Sequence, residues 1–416
     1  MKHTSAFKSL LLLLSLAVLF SSCGEKANGP DTYPADFILG EDSQYMYQVQ
    51  SQNTTMAATK DGYYFLIHNY IYYADKDTMK LTVLCNKPDC LHEKETDPQK
   101  VLNCNAFVNP GLSSRGFLSL YKDRLYVLSG YDNAQQKEQP QLVSISLDGT
   151  NRKTEFLLPP EMTFMTLHRG YFYYVLKNFE NPEESYSQIM QHELGKSQTQ
   201  EECIFTSKMQ GGDIQDLICR GNQLYFNEHG EHGEKYISHI LMYDITSKVT
   251  KRILTEDDNQ ITNFLQFVDN RIYTSLFDLQ NDTIYTDTKF YSTDLQGNDM
   301  HEKFSAPNMF STCLDQKYMY GGYPGSSPED KPEIARMDIY DHTGTLKDSV
   351  EIPNAHWMLS FAPGDDQYIF LQYDDDTYTY VDLIDKKEIG SKNIKPISFF
   401  KMETSYINKG VLAKAS

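Results

Sequence analysis

The chain has 416 residues and a formal net charge of −19, from 38 Lys and Arg against 57 Asp and Glu. Phosphate binding needs clustered cations, and no basic run of the required length occurs, so nucleic acid is excluded as a partner. Thirty Tyr and 22 Phe against a single Trp suit strands that pack a ring inward and keep a hydroxyl wet.

The first element is a leader. Met1-Lys2 and Lys8 precede an apolar run from Leu10 to Phe20, which ends at Ser21-Ser22-Cys23. A basic start, an apolar stretch too short to span a bilayer as a helix, and small residues before a cleavage point make a secretory signal. Cys23, directly after two small residues, resembles the lipobox of bacterial lipoproteins, whose cysteine is lipidated and becomes the mature N-terminus. The alternative is an ordinary signal peptide with an incidental cysteine. On the first reading residues 1–22 are the signal peptide, 23–40 a lipidated flexible tether and 41–416 a folded domain. The expected address is the bacterial cell envelope, outside the cytoplasm, with the membrane reached through the lipid.

From Asp61 onward one pattern recurs seven times, an aromatic strand after a polar turn. It reads Asp61-Gly62-Tyr63-Tyr64-Phe65, Asp123-Arg124-Leu125-Tyr126, Arg169-Gly170-Tyr171-Phe172 and Gly221-Asn222-Gln223-Leu224-Tyr225, then Asp269-Asn270-Arg271-Ile272-Tyr273, Asp315-Gln316-Lys317-Tyr318-Met319-Tyr320 and Asp366-Gln367-Tyr368-Ile369-Phe370. From Tyr126 the aromatics are 46, 53, 48, 47 and 50 residues apart. A second turn follows about twenty residues after each, as in Leu147-Asp148-Gly149-Thr150 and Tyr340-Asp341-His342-Thr343-Gly344. Gly, Asp and Thr there supply the positive φ or the Asx hydrogen bond of a tight hairpin. Two hairpin turns per repeat of 45–50 residues predict an all-β fold, a β-propeller of seven four-stranded blades. Tyr45–Gln50 or Ile397–Ile407 are the candidates for a strand that closes the ring.

One insertion breaks the period. The outer turns at Asp77 and Gly149 lie 72 residues apart, and the excess falls after Leu84. Residues 85–110 contain Cys85, Cys90, His92 and Cys104 in the order C-x4-C-x-H-x11-C. Three thiols and an imidazole are the donor types of a tetrahedral zinc site, and four protein ligands would make it structural rather than catalytic. The first reading is nonetheless a disulfide stapling a loop that has no core of its own, the second a metal, the third three unpaired thiols. No cofactor is certain; structural zinc is the one the insertion suggests. Cys219 and Cys313, each in an apolar run before a strand signal, read as small core residues.

The stretch Leu84-Cys85-Asn86-Lys87-Pro88-Asp89-Cys90-Leu91-His92 followed by Cys104-Asn105-Ala106 resembles a signature of uncharacterised lipoproteins of gut-type bacteria. Their repeats resemble TolB-like propellers. The resemblance runs from lipobox to last blade and implies a fold and an extracytoplasmic address, with no activity to carry over.

Propellers bind ligands at a channel mouth, on the face that carries the inter-blade loops and the second-to-third strand hairpins. The insertion and the long hairpins Gly130–Gln141, Lys177–Gln188, Asn227–Lys235, Phe277–Lys289 and Gly321–Glu333 are expected there. His229 and His232, in Glu228-His229-Gly230-Glu231-His232-Gly233-Glu234, are weak ligand candidates, against the plainer reading of a solvated hairpin tip. Asp374-Asp375-Asp376 lacks the alternating carboxylates of a calcium loop and reads as an acidic turn. No nucleophile elbow, zincin helix or phosphate-cradling loop occurs, so no catalytic residue is assigned. The expected function is recognition or scaffolding: a membrane-tethered extracytoplasmic protein binding an unknown glycan, peptide or protein on the loop-rich face. The alternative is a carbohydrate-active enzyme, a lyase or hydrolase, working at the channel mouth with a metal or paired carboxylates.

Overall fold

The computed structural model describes residues 37–48, 54–109, 116–132, 137–178, 186–196, 200–232, 235–254, 260–262, 266–278, 288–306, 309, 311–323, 335–352, 360–362, 365–375 and 377–403. The signal peptide, Cys23 and most of the expected tether therefore lie outside the described residues, as do the tips of most long hairpins. Among the described residues no helix is long and apolar enough to cross a membrane.

The strands form seven antiparallel sheets in chain order. Blade 1 is Met56–Ala58, Gly62–Ile67, Tyr70–Asp75 and Leu81–Val83 (β1–β4). Blade 2 is Leu118–Tyr121, Arg124–Asp132, Lys137–Ser146 and Lys153–Leu157 (β5–β8). Blade 3 is Met162–His168, Tyr171–Asn178, Tyr186–Glu193 and Glu202–Thr206 (β9–β12); blade 4 is Gln210–Arg220, Gln223–His232, Lys235–Asp244 and Val249–Arg252 (β13–β16). Blade 5 is Gln260–Thr262, Gln266–Val268, Arg271–Asp278, Thr288–Asp294 and His301–Ala306 (β17–β21). Blade 6 is Ser311–Leu314, Tyr318–Tyr323, Ala335–Asp341 and Leu346–Ile352 (β22–β25), and blade 7 is Ser360–Ala362, Tyr368–Asp374, Tyr378–Asp385 and Ile397–Glu403 (β26–β29). The seven-bladed propeller is thus as the repeat period predicts. Blade 5 departs from four strands, because its inner strand is broken into β17 and β18, both paired with β19.

First strands of neighbouring blades lie against one another around the axis. The second strands carry the repeat aromatics inward, as in β2, where Gly62–Ile67 is buried throughout. Several of the turns between third and fourth strands close as Asx turns. Asp75 Oδ1 accepts the Thr78 amide at 2.9 Å, Asp244 Oδ1 that of Ser247 at 2.7 Å, and Asp341 Oδ1 those of Thr343 and Thr345 at 2.9 and 3.0 Å. These side chains replace backbone partners that a tight reversal removes. At Gly149, Gly297 and Gly344 the glycine lets the outer turn dock closely on the preceding blade: a Cβ on Gly297 (φ +81) would lie 1.7 Å from the Ile253 carbonyl oxygen.

Among the described residues the ring closes without an exchanged strand. Within the two candidate closing segments, Ile397–Glu403 is the ordinary outer strand of blade 7 and Tyr45–Tyr47 is a single 3-10 turn, while residues 49–50 and 404–407 lie outside the described residues. The junction of blades 7 and 1 is aromatic, with Phe370 at 5.1 Å from Tyr63 and 5.0 Å from Phe65, and Tyr72 at 5.0 Å from Phe400, between ring centroids. Charged groups clamp its rim. Lys76 of blade 1 lies 3.5 Å from Asp365 of blade 7, which also accepts the Tyr63 hydroxyl. The 6–7 junction repeats the motif, with Lys386 Nζ 2.8 Å from Asp315 and the Tyr320 hydroxyl on the same carboxylate.

Residues 37–48 run across the propeller face that bears the first-to-second strand turns. The Gly40 carbonyl accepts the Lys122 amide of blade 2, and the Glu41 carbonyl accepts the Arg169 amide of blade 3 at 2.7 Å. Asp42 pairs with Arg169 at 2.6 Å. Gln44 pairs with the Ala58 backbone as a strand would, accepting its N–H and donating to its C=O, both at 2.7 Å. Tyr45 then packs on Phe267 and in the same apolar cluster as Tyr225, in blades 5 and 4. Asp42, Ser43, Gln44 and the three residues after them are buried, so this strap covers the channel mouth on that face.

Candidate metal centre and channel mouths

The insertion leaves β4 at Leu84 and returns beside β3. Between these points Cys90 sits in a turn, with its amide on the Lys87 carbonyl at 3.3 Å, and His92 starts a 3-10 turn at φ +54. The five-residue helix Pro98–Leu102 (α1) follows, capped by the Asp97 side chain on the Gln99 amide at 3.0 Å, with Pro at its start where a missing N–H costs nothing. Its end delivers Cys104. The sulfurs of Cys85, Cys90 and Cys104 and a nitrogen of His92 all lie within 4.8 Å of one another, and the Cys104 sulfur is 3.7 Å from His92 Nδ1. All three thiols are free. The four residues flagged from their spacing are therefore brought together, as a cluster with the donor set and spacing to hold a metal ion such as zinc.

The surroundings act in opposite directions on two of the thiols. Burial raises the Cys85 pKa, but backbone N–H groups of Lys87 and Asn105 donate to its sulfur, and the net direction is down. Burial pushes Cys104 up, and the neighbouring Cys85 pushes it further, against one N–H from Ala106. Three thiolates around one Zn²⁺ would carry a net negative charge, and the Arg152 guanidinium of blade 2 is close by, donating to the carbonyls of Asn105, at 2.9 Å, and Phe107. The Tyr70 hydroxyl holds the His92 carbonyl at 3.1 Å. Spacing alone does not pick out Arg152 or Tyr70, because both come from other strands; the run Cys104-Asn105-Ala106-Phe107 marks their docking site.

The cluster lies on the outer flank of blade 1, not at a channel mouth. Asn105 Nδ2 donates to the Gly149 carbonyl, in the outer turn of blade 2, at 2.8 Å. Only the tail of the insertion reaches the loop-rich face, where the Asn109 carbonyl accepts the Gly130 amide at 2.7 Å. Among the described residues it is the one group of three or more His, Cys, Asp or Glu with ligand spacing.

His229 belongs to β14 rather than to a loop. The expected tip at Asn227–Lys235 is paired along the backbone as far as His232 with Lys235, and the His232 side chain lies outside what the structure describes. His229 is buried opposite Asp213 of β13, near the loop-rich end of the channel, and Lys177 of β10 pairs with Asp213 over the Phe164 ring. Burial, only partly opposed by Asp213, holds the His229 imidazole down to about 4. Asp375 accepts the Thr377 and Tyr378 amides at 2.7 and 2.5 Å, the acidic turn expected there, while Asp376 lies outside the described residues. Cys219 and Cys313 are buried core residues of inner strands.

No family model matches the chain, and no curated protein matches it. Similar solved structures are propellers of several activities. An oligogalacturonate lyase in complex with manganese is 15% identical, with 83% of this chain and 89% of that chain covered at a TM-score of 0.50. An oligogalacturonate lyase from Vibrio parahaemolyticus is 11% identical, covering 85% and 92% at 0.52. A putative TolB from Agrobacterium tumefaciens is 10% identical, covering 65% and 83% at 0.36, too loose to carry an argument. At such identities the likeness is one of fold: this chain is a seven-bladed propeller, assigned to no family.

Proposed function

We propose that the protein is a lipid-anchored, extracytoplasmic recognition or scaffold module that binds a glycan, peptide or protein on the loop-rich mouth of its channel. The strap carries this reading. It covers the opposite mouth with its own residues, leaving the loop-rich mouth as the end where a partner can enter. The strap directly follows the tether expected after Cys23, so the anchor joins the covered side. The Cys85, Cys90, His92 and Cys104 cluster has four protein donors and lies away from both mouths. We read any zinc there as structural, since a catalytic zinc keeps an open position.

The test uses the full chain and a variant in which residues 324–334 are replaced by a short Gly-Ser link. Both are titrated against a panel of soluble envelope polysaccharides and peptidoglycan fragments. Saturable binding that the shortened variant loses supports the reading. Turnover of a bound polysaccharide into shorter products would overturn it in favour of an enzyme, and the absence of any saturable binding would also count against it. Radiolabelled palmitate incorporated by the wild type and not by Cys23→Ser checks the anchor separately.

A further inference from the structure

The outer edge of blade 1 is not one strand. β4 ends at Val83, opposite Tyr72, with Leu84 adding one bond from its amide to the Ile71 carbonyl at 2.9 Å. Beyond that the edge of β3 is taken over by residues more than twenty positions later. Ile71 donates to the Ala106 carbonyl at 2.9 Å, Tyr70 bridges to Phe107, and Val108 donates to the Asn69 carbonyl at 2.7 Å. The fourth strand of this blade is thus split. Its first half ends one residue before Cys85, and its second half begins two residues after Cys104.

We propose that Cys85, Cys90, His92 and Cys104 bind one Zn²⁺, and that the ion clasps the two halves of this split strand into a single outer edge. The inference rests on the structural-metal reading above. Zinc–sulfur bonds of about 2.3 Å and a zinc–nitrogen bond of about 2.0 Å in a tetrahedron put neighbouring donors roughly 3.5–3.8 Å apart. The 3.7 Å from Cys104 to His92 and the 4.8 Å limit on the set stand near that spacing, whereas a disulfide needs about 2.05 Å between two sulfurs. A disulfide would also leave the third thiol and the imidazole without a role. His92 is held at φ +54, which for a residue other than glycine needs fixing by its surroundings. The Tyr70 hydroxyl supplies one such fix from the very strand whose edge is split.

The clasp also explains why the insertion keeps its place with so little apolar surface. Val101, Ala106, Phe107 and Val108 join the blade 1 core, while Leu91 and most of residues 86–100 face solvent. A metal bond set supplies folding free energy that such a segment lacks.

The experiment measures metal content on the full chain purified from zinc-replete cells, together with amide hydrogen exchange at Ile71, Leu84 and Val108. One zinc per chain is expected, replaceable by Co²⁺ with the absorption of a tetrahedral thiolate site. Chelation of the wild type should strip the metal and the protection of those three amides together, with blades 3 to 6 unchanged. His92→Ala should lose zinc, and His92→Cys should restore it, since a fourth thiolate also suits the ion. A metal-free chain lighter by the hydrogens of a disulfide would overturn both the zinc and the clasp. Zinc retained in both Cys90→Ser and His92→Ala would place the ion elsewhere and overturn the proposal too. Zinc lost with the three amides unmoved would leave a structural metal and sink the clasp alone.

Discussion

Gly297 and Gly195 both lie in the outer turns of their blades, at φ +81 and +79. An alanine at either position meets the same steric cost of the left-handed region, about 1 kcal/mol. Their surroundings differ. The added Cβ at Gly297 would enter the Ile253 carbonyl, whereas at Gly195 none of the described atoms lies within 4 Å. Gly195→Ala should therefore cost about 1 kcal/mol and Gly297→Ala about 3 kcal/mol or more, because backbone must move. Urea unfolding of the two variants checks the difference. Two histidines set a second residue-level property. His168 accepts the Ser43 amide on Nδ1 at 3.1 Å and donates from Nε2 to the Gly221 carbonyl at 2.7 Å, so a proton on Nδ1 would face a donor. Burial lowers its pKa, and likewise that of His229, to about 4 for the latter. A folded pKa below the unfolded value near 6.5 means the unfolded chain binds the proton first. Stability is thus fully present above about 6.5 and falls as pH drops toward the folded values, by up to about 3 kcal/mol for His229. Asp213, Lys177 and His239 surround that imidazole. The slope of stability between pH 6.5 and 4.5 should be shallower in His229→Gln than in the wild type.

At the scale of elements, the strap is the informative piece. Gln44 satisfies both backbone groups of Ala58, a residue 1% exposed, so Gln44→Ala orphans a buried donor and a buried acceptor. The expected cost is about 2–4 kcal/mol, read as a lower urea midpoint with faster exchange at Ala58. A merely solvated strap would move neither. This element could not be read from the sequence. Its hydrogen-bond partners lie 14 to 127 residues away, and Glu41-Asp42-Ser43-Gln44 carries no periodicity that separates a strap from a tether. The metal-ligand set was legible for the opposite reason, because an extra stretch interrupts a regular period and holds three of the seven cysteines. Its location was not. The topological expectation of a loop-face insertion ignored the shortness of β4, which lets Ala106–Val108 take over the edge of β3. The burial of His229 was not legible, because its glycine-flanked string reads as solvated loop while the ladder runs through Gly230 opposite Ile237.

For the whole molecule, the period gave the blade number and class of fold, since each repeat buries its faces only against its neighbours. It said nothing of closure, because a repeat has no first member in its own pattern. Among the described residues the ends of the ring meet through side chains, and Phe370 is their meeting point, against Tyr63 and Phe65 of blade 1. Each blade is otherwise continuous in sequence, and among the described residues no strand ties the last blade to the first. Truncating a large buried ring costs about 3–5 kcal/mol wherever it stands, and Phe226, buried in blade 4 beside Phe205, is a matched control. The distinction between the two lies in what opens. With Phe370→Ala, amides of β2 and β27 should exchange by a sub-global opening well below the global free energy, while blades 3 to 5 keep their protection. With Phe226→Ala, blade 4 has sequence-linked neighbours on both sides, and its amides should exchange through global unfolding. If both variants instead loosen every blade alike, the 7–1 junction is as firmly coupled as the others, and the aromatic contacts there do the work that a shared strand would do elsewhere.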